Sequence, residues 1–123
     1  MTENEISYII RGAIYEVYNT LGPGLLESVY EEALLFELEQ AGLKVKRQVD
    51  VPINYKGHKL ANDLRLDLLV EEKVIVELKS VQELQDVFYK QTLTYLKLTC
   101  LKLGILVNFN TDRINDNIKR LVN

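Results

Sequence analysis

A chain of 123 residues, 47% hydrophobic and 27% charged, is long enough to bury one core and too evenly mixed to be disordered or collagen-like. Fifteen basic against eighteen acidic residues, a formal charge of −3, argue against a protein that coats nucleic acid by bulk charge. The single cysteine, Cys100, excludes an internal disulfide, and no apolar run approaches the ~18 residues that a membrane span needs. The N-terminal stretch MTENEISYII is acidic and lacks the basic segment and apolar run of a signal peptide, so a cytoplasmic location is expected.

Thr2 and Glu5 have the spacing of a capping box, and Ile6, Ile9, Ile10, Ala13, Val17 and Leu21 then recur at helical intervals. The pattern predicts an amphipathic helix over residues 3–20. Gly22-Pro23-Gly24 breaks it, and LLESVYEEALLFELEQAG opens a second helix that Gly42 stops as a C′ glycine. From Lys44 the period falls to two: Val45, Val49, Val51, Ile53 and Tyr55 alternate, interrupted by Arg47. Pro52 places this strand at an edge or a bulge, because proline donates nothing to a ladder. Lys56-Gly57 suits a hairpin turn, after which a second strand runs on to Val70 and a third covers residues 74–79.

The segment QELQDVFYKQTLTYLKL has helical periodicity, and LKLGILVNF is an unbroken apolar run. A strand, a helix and a fully buried strand in succession predict a right-handed βαβ crossover with the two strands parallel. Thr111 is placed to cap a final helix carrying Ile114, Ile118 and Leu121. The order ααβββαβα describes one α/β domain over residues 1–123, a mixed four-stranded sheet flanked by helices. Cys100, near a helix end, reads as a small buried hydrophobe. His58 reads as a solvated strand-end residue.

Polar chemistry concentrates in the hairpin of the second and third strands. In DLRLDLLV, Leu64, Leu66, Leu68 and Val70 share one face, and Asp63, Arg65, Asp67 and Leu69 the other. In VIVELK, Val74, Val76 and Leu78 share one face, and Ile75, Glu77 and Lys79 the other. Matching the apolar faces requires an odd number of loop residues. With three, Val70 faces Val74 and Asp67 faces Glu77, their Cβ atoms ~4.5–5.5 Å apart, where like charges destabilise the pair. A divalent cation between the carboxylates, with Lys79 beside it, would relieve that repulsion. An open hairpin with Asp67, Glu77 and Lys79 facing water satisfies the same pattern.

Glu27 shares a helical stripe with Tyr30, Leu34, Leu38 and Ala41, which turns it partly inward; the helix dipole also favours an acidic residue in a first turn. Gln91 falls on an apolar stripe of the third helix, with Leu84, Val87 and Phe88 before it and Tyr95 and Leu98 after it. A buried amide needs hydrogen-bond partners, so something polar is expected beneath that helix.

Gly24, Glu27 and Tyr30 reproduce the pattern of the GxxExxY proteins. Asp67 followed by Glu77-Leu78-Lys79 resembles the signature of the PD-(D/E)XK nuclease superfamily, and Gln91 to Tyr95 is similar to the QxxxY element of its RecB-like nucleases. The resemblance covers nearly the whole chain, including VIVELKSV, YLK and NF, with one departure: Leu66 stands where a proline would precede the aspartate.

What the resemblance implies is a restriction-endonuclease-like core and a metal-dependent nuclease that hydrolyses phosphodiester bonds in nucleic acid, DNA in particular. Asp67, Glu77 and the backbone carbonyl of Leu78 would bind Mg²⁺ or Mn²⁺, which suit oxygen ligands. Glu27 would reach the ion through water or hold a second one. Lys79 would orient or deprotonate the attacking water, or stabilise transition-state charge. Gln91 would position Lys79 or a nucleic-acid strand. Tyr95 and Lys90 lie with Gln91 on the substrate side, Tyr95 and Tyr30 being packing residues with a hydrogen-bonding end.

Apart from Glu27, Asp67 and Glu77 the chain has as many acidic as basic residues. Lys44, Lys46, Arg47, Lys56, Lys59 and Lys90 are candidates to line a substrate groove. The alternative is a noncatalytic domain of the same fold that binds a protein or nucleic-acid partner. So little chain lies beyond the core that recognition leaves room for a homodimer or a protein partner.

Overall fold

A computed structural model describes residues 1–123. Helix α1 (Glu3–Leu21) begins at the expected capping box: Glu5 N–H donates to the Thr2 hydroxyl at 3.2 Å, and Thr2 N–H donates to the Glu5 carboxylate at 2.9 Å. Its buried stripe is Ile6, Ile10, Ile14 and Val17. Helix α2 (Glu27–Gln40) packs beside it through Tyr30, Leu34 and Leu38. Gly42, at φ +86°, then turns the chain into the sheet, a conformation that glycine adopts without a Cβ penalty.

Strand β1 (Val45–Val51) ends before Pro52, and a separate small hairpin follows, β2 (Asn54–Tyr55) and β3 (His58–Lys59), with its turn at Lys56-Gly57. The continuous strands expected over 45–55 and up to Val70 are therefore each divided. Strand β4 (Leu64–Val70), strand β5 (Val74–Lys79), helix α3 (Asp86–Thr99) and strand β6 (Leu103–Asn108) complete the centre of the fold. As expected, β5 and β6 pair in parallel across α3, from Val74↔Leu103 to Lys79↔Asn108.

The final helix does not form. Ile114–Asn117 makes one 3₁₀ turn, and Ile118–Val122 is strand β7, antiparallel to β6. The sheet consequently has five strands rather than four, in the order β1-β4-β5-β6-β7, and β1 is an edge strand, where the neighbouring Pro52 is tolerated.

Two apolar layers cover the sheet. Leu68, Val70, Val74, Val76, Leu78, Ile105 and Val107 face α1 and α2, while Leu69 and Ile75 pack with Leu96 of α3. Fully burying one such side chain contributes roughly 1.5–3 kcal/mol. Helix α3 approaches closely over Gly104, where an added Cβ would lie 3.1 Å from Thr92 Cγ2. Cys100 is not buried. It is the exposed C-cap of α3, in the left-handed conformation at φ +58°.

Candidate metal and catalytic site

The hairpin register is the one its apolar faces dictate, Val70↔Val74, Leu69↔Ile75 and Leu68↔Val76. One step further it sets Asp67 against Glu77, but the main-chain ladder stops short of them. Asp67 N–H donates to Glu77 Oε1 at 3.3 Å, and Leu78 N–H donates to Asp67 Oδ2 at 2.9 Å. Each carboxylate thus takes a backbone donor from the opposite strand.

The sheet also opens on the other flank of Asp67. Pairing between β1 and β4 passes from Arg47↔Leu68 to Val49↔Leu66, omitting Gln48 and Asp67, and Gln48 is left-handed at φ +51°. A residue other than glycine held there stores about 1–3 kcal/mol of strain. Alternation changes at this level: Leu68 and Val70 join the α1 and α2 layer, whereas Leu64 and Leu66, of the same parity, pack with Leu69, Ile75 and Leu96.

Glu77 is 4% exposed. Burial first, and the Asp67 charge second, push its carboxyl up to about 9, against an ordinary 4.5. Tyr95, on α3, is raised by its own burial and then by the charges of Glu77 and Asp67, so its phenol lies within the field of both. Lys79, half-buried, forms no ion pair; its ammonium lies 4.6 Å from the centre of the Phe88 ring, a cation–π contact.

Several loops are tied together around Lys79. The Tyr30 hydroxyl donates to Gly22 O at 2.6 Å and accepts from Leu25 N–H at 3.1 Å, and its ring stacks on Phe109 at 4.4 Å. Ser80 Oγ donates to Leu25 O at 2.5 Å, which brings the start of α2 to the end of β5 that carries Lys79. Buried Asn108 accepts from Val81 N–H at 3.0 Å and donates to Val81 O at 2.9 Å, and Phe109 N–H donates to Lys79 O at 3.0 Å.

Not every expected residue joins the pair. Glu27 is the first residue of α2, exposed, with no side-chain hydrogen bond or ion pair, so it does not point inward; Ala41 is likewise exposed. Gln91 is exposed, because the buried stripe of α3 is Thr92 and Leu96, and Val87 and Leu98 face solvent with it. Nothing polar needs to lie beneath Gln91. Lys90 is exposed on the same helix. No three His, Cys, Asp or Glu side chains cluster closely enough to hold an ion by themselves. Lys46 pairs with Glu72 at 2.5 Å and Arg47 with Glu31 at 3.1 Å; Lys44 and Lys46 do line a cleft, but Glu39, Glu71 and Glu72 line it with them, so its basic charge is met by acidic neighbours.

Sequence reasoning missed Glu31, Gln48 and Asn108. Glu31 carried a signal, lying three residues before Leu34 on the buried side of α2. Asn108, ending an apolar run, carried a weaker one. Gln48 carried none, since glutamine does not mark a left-handed residue.

A mixed sheet with Asp67 facing Glu77-Leu78-Lys79 at an open stretch of a β-hairpin is a nuclease-like arrangement. The family model of the PD-(D/E)XK nuclease superfamily matches residues 4–121, and the chain belongs to that superfamily. No curated protein and no solved structure matches the chain. Nucleases of this superfamily generally use divalent metals, and the donors present fit one: two juxtaposed carboxylates, one of them buried and short of a counter-charge, offer the hard oxygen ligands that Mg²⁺ and Mn²⁺ accept.

Proposed function

We propose that this chain is a divalent-metal-dependent nuclease of the GxxExxY group, hydrolysing phosphodiester bonds in DNA with Mg²⁺ or Mn²⁺. The observation that carries the reading is the juxtaposed Asp67 and Glu77, with Lys79 two residues on and unpaired. The GxxExxY assignment is supported by Tyr30, which ties down the Gly22–Leu25 loop ahead of Glu27. Residues 1–123 act as one domain, and its single unpaired cysteine suits the cytoplasm.

Asp67, Glu77 and the Leu78 carbonyl would hold the ion, and Glu27, outward in the ion-free protein, would have to turn toward them to reach it through water. When bound, the ion supplies Lewis acidity at the phosphoryl oxygen and makes water a nucleophile near neutral pH. Lys79, held over Phe88, orients the attacking water and offsets the negative charge that grows on the phosphoryl oxygens. Tyr95, its pKa raised, stays a phenol and can donate to a phosphate. Gln91 and Lys90, exposed on α3, contact the nucleic-acid strand. The test is cleavage of labelled single- and double-stranded DNA and RNA with Mg²⁺, Mn²⁺ or EDTA. Metal-dependent cleavage of DNA that EDTA abolishes is the expected result, and intact substrates under every condition would defeat the reading.

A second reading, a noncatalytic domain of the same fold, is favoured by the backbone donors already taken up by Asp67 and Glu77 and by the outward Glu27. A protein partner or homodimer has a seat in either case. The groove between α1 and α2 exposes Val29, Leu21 and Phe36, the last 58% exposed. Cleavage of DNA by the purified chain separates the two readings.

A further inference from the structure

Glu31 is 6% exposed on α2 and has two partners on β1. Arg47 Nε donates to Oε1 at 3.1 Å, and Gln48 Nε2 donates to Oε1 at 3.1 Å and to Oε2 at 2.9 Å. The ion pair with Arg47 alone would hold the strand against the helix. The glutamine contact does something else. Gln48 adopts φ +51° in mid-strand, and the residue is exposed, so no packing of its own holds it there. What holds it is the double contact of its amide with a buried carboxylate.

That conformation falls at one particular level of the sheet. Arg47↔Leu68 and Val49↔Leu66 are paired, so Gln48 stands opposite Asp67, where pairing is lost. An extended Gln48 would close the ladder across this level. With the ladder open, Asp67 N–H turns to Glu77 and the Asp67 carboxylate turns to Leu78 N–H. The strain lies on one side of β4 and the carboxylate pair on the other.

We propose that Glu31 and Gln48 are positioning residues: the buried carboxylate on α2 clasps Gln48 in a left-handed conformation, which opens the sheet at Asp67 and sets the geometry of the Asp67–Glu77 pair. Its consequence for ion binding rests on the metal-site reading above, whereas the geometric claim can be tested in ion-free protein. The clasp makes a distinctive demand, because glycine takes φ > 0 unaided while a β-branched residue resists it.

The experiment compares wild type with Gln48→Gly, Gln48→Val, Glu31→Ala and the double variant Glu31→Ala/Gln48→Gly. Amide hydrogen exchange at Asp67 and Leu78 is read in ion-free protein, relative to Val76 and Val107 as controls for overall stability. Gln48→Val and Glu31→Ala should speed relative exchange at Leu78 about tenfold or more, while Asp67 N–H, taken up by the closed ladder, stays protected. Gln48→Gly should match wild type, and the double variant should be rescued to the same level. Mn²⁺ affinity, by calorimetry, should fall about tenfold to a hundredfold in Glu31→Ala and return in the double variant.

Wild-type exchange in Glu31→Ala, or no rescue by glycine, would overturn the clasp and leave Glu31 acting only through Arg47. If Glu31→Ala does not fold, Gln48→Val against Gln48→Gly decides the matter with the Arg47 pair intact, equal exchange in the two overturning the proposal. Wild-type protein that binds no Mn²⁺ would defeat the metal reading alone, since the exchange comparison still decides the clasp.

Discussion

The Lys79 ammonium lies over the Phe88 ring, 4.6 Å from its centre, and meets no carboxylate within ion-pair distance. The ring holds the amine beside Glu77 without neutralising it, so on the proposed nuclease reading the charge is free to meet a phosphate. Lys79→Ala should lower hydrolysis by about 10²–10⁴-fold. Mn²⁺ affinity should be unchanged or improved, because a neighbouring positive charge has gone. Single-turnover cleavage and calorimetry on the same preparation check both, and equal turnover in variant and wild type would assign the activity to a contaminant.

Ion binding should also register as stability. An ion that binds only the folded state adds ~2.7 kcal/mol at a hundredfold excess over its dissociation constant. For a domain of this length that raises the melting midpoint by roughly 8 to 15 °C. We expect Mn²⁺ to raise the wild-type midpoint, EDTA to reverse it, and Asp67→Asn to remove most of the response while leaving ion-free stability unchanged or higher. An equal Mn²⁺ shift in both proteins would put the ion elsewhere.

Glu77 gives a pH dependence whose sign is fixed. Its folded pKa is about 9 against an ordinary 4.5, so between those values the folded protein keeps a proton that the unfolded chain has released. Stability without metal is therefore greatest, as far as this group decides, below the unfolded pKa, and is lost as pH rises towards the folded one. The slope is at most about 1.4 kcal/mol per pH unit. Urea unfolding of ion-free protein across this range should show the decline, and Glu77→Gln should flatten it. The same steepness in the variant would locate the titrating group elsewhere.

Tyr30→Phe keeps the stack on Phe109 and removes only the hydroxyl that bridges Gly22 and Leu25. Leaving those two backbone groups without their partner should cost about 1–3 kcal/mol of stability. Thermal unfolding measures it, and a midpoint equal to wild type would show that water replaces the hydroxyl fully.

Where local rules decide, the sequence reads correctly. Thr2 and Glu5 form their capping box, the apolar faces of β4 and β5 fix a register that opposes Asp67 to Glu77, and β5, α3 and β6 form the parallel crossover. Misreadings arise where tertiary context overrides a period. Ile114, Ile118 and Leu121 fit a helix by spacing, but the open edge of β6 offers a ladder, and Ile118 and Leu121 pair with Val107 and Gly104 instead.

Val87 and Leu98 turn outward on α3, and Gln91, which shares their stripe, turns outward with them. The helix starts only at Asp86, and Gly104 leaves room for Thr92, whose hydroxyl donates to Phe88 O at 2.9 Å, to lie against the sheet. No periodicity in α3 reveals a gap in β6. The bend at Gln48 was hidden for a related reason: its cause, Glu31, lies on another element seventeen positions earlier in the chain.

The ties around Lys79 bind Tyr30, Ser80, Asn108 and Phe109 to one another's loops. Substitutions at residues that share partners in this way do not add independently, since the loss of one loosens the frame that gives the next its geometry. A graft of the hairpin with Asp67, Glu77 and Lys79 onto another scaffold would carry these side chains and leave behind what aims them. A graft that also took Gly22 to Tyr30 and Asn108 to Thr111 would carry the aim as well.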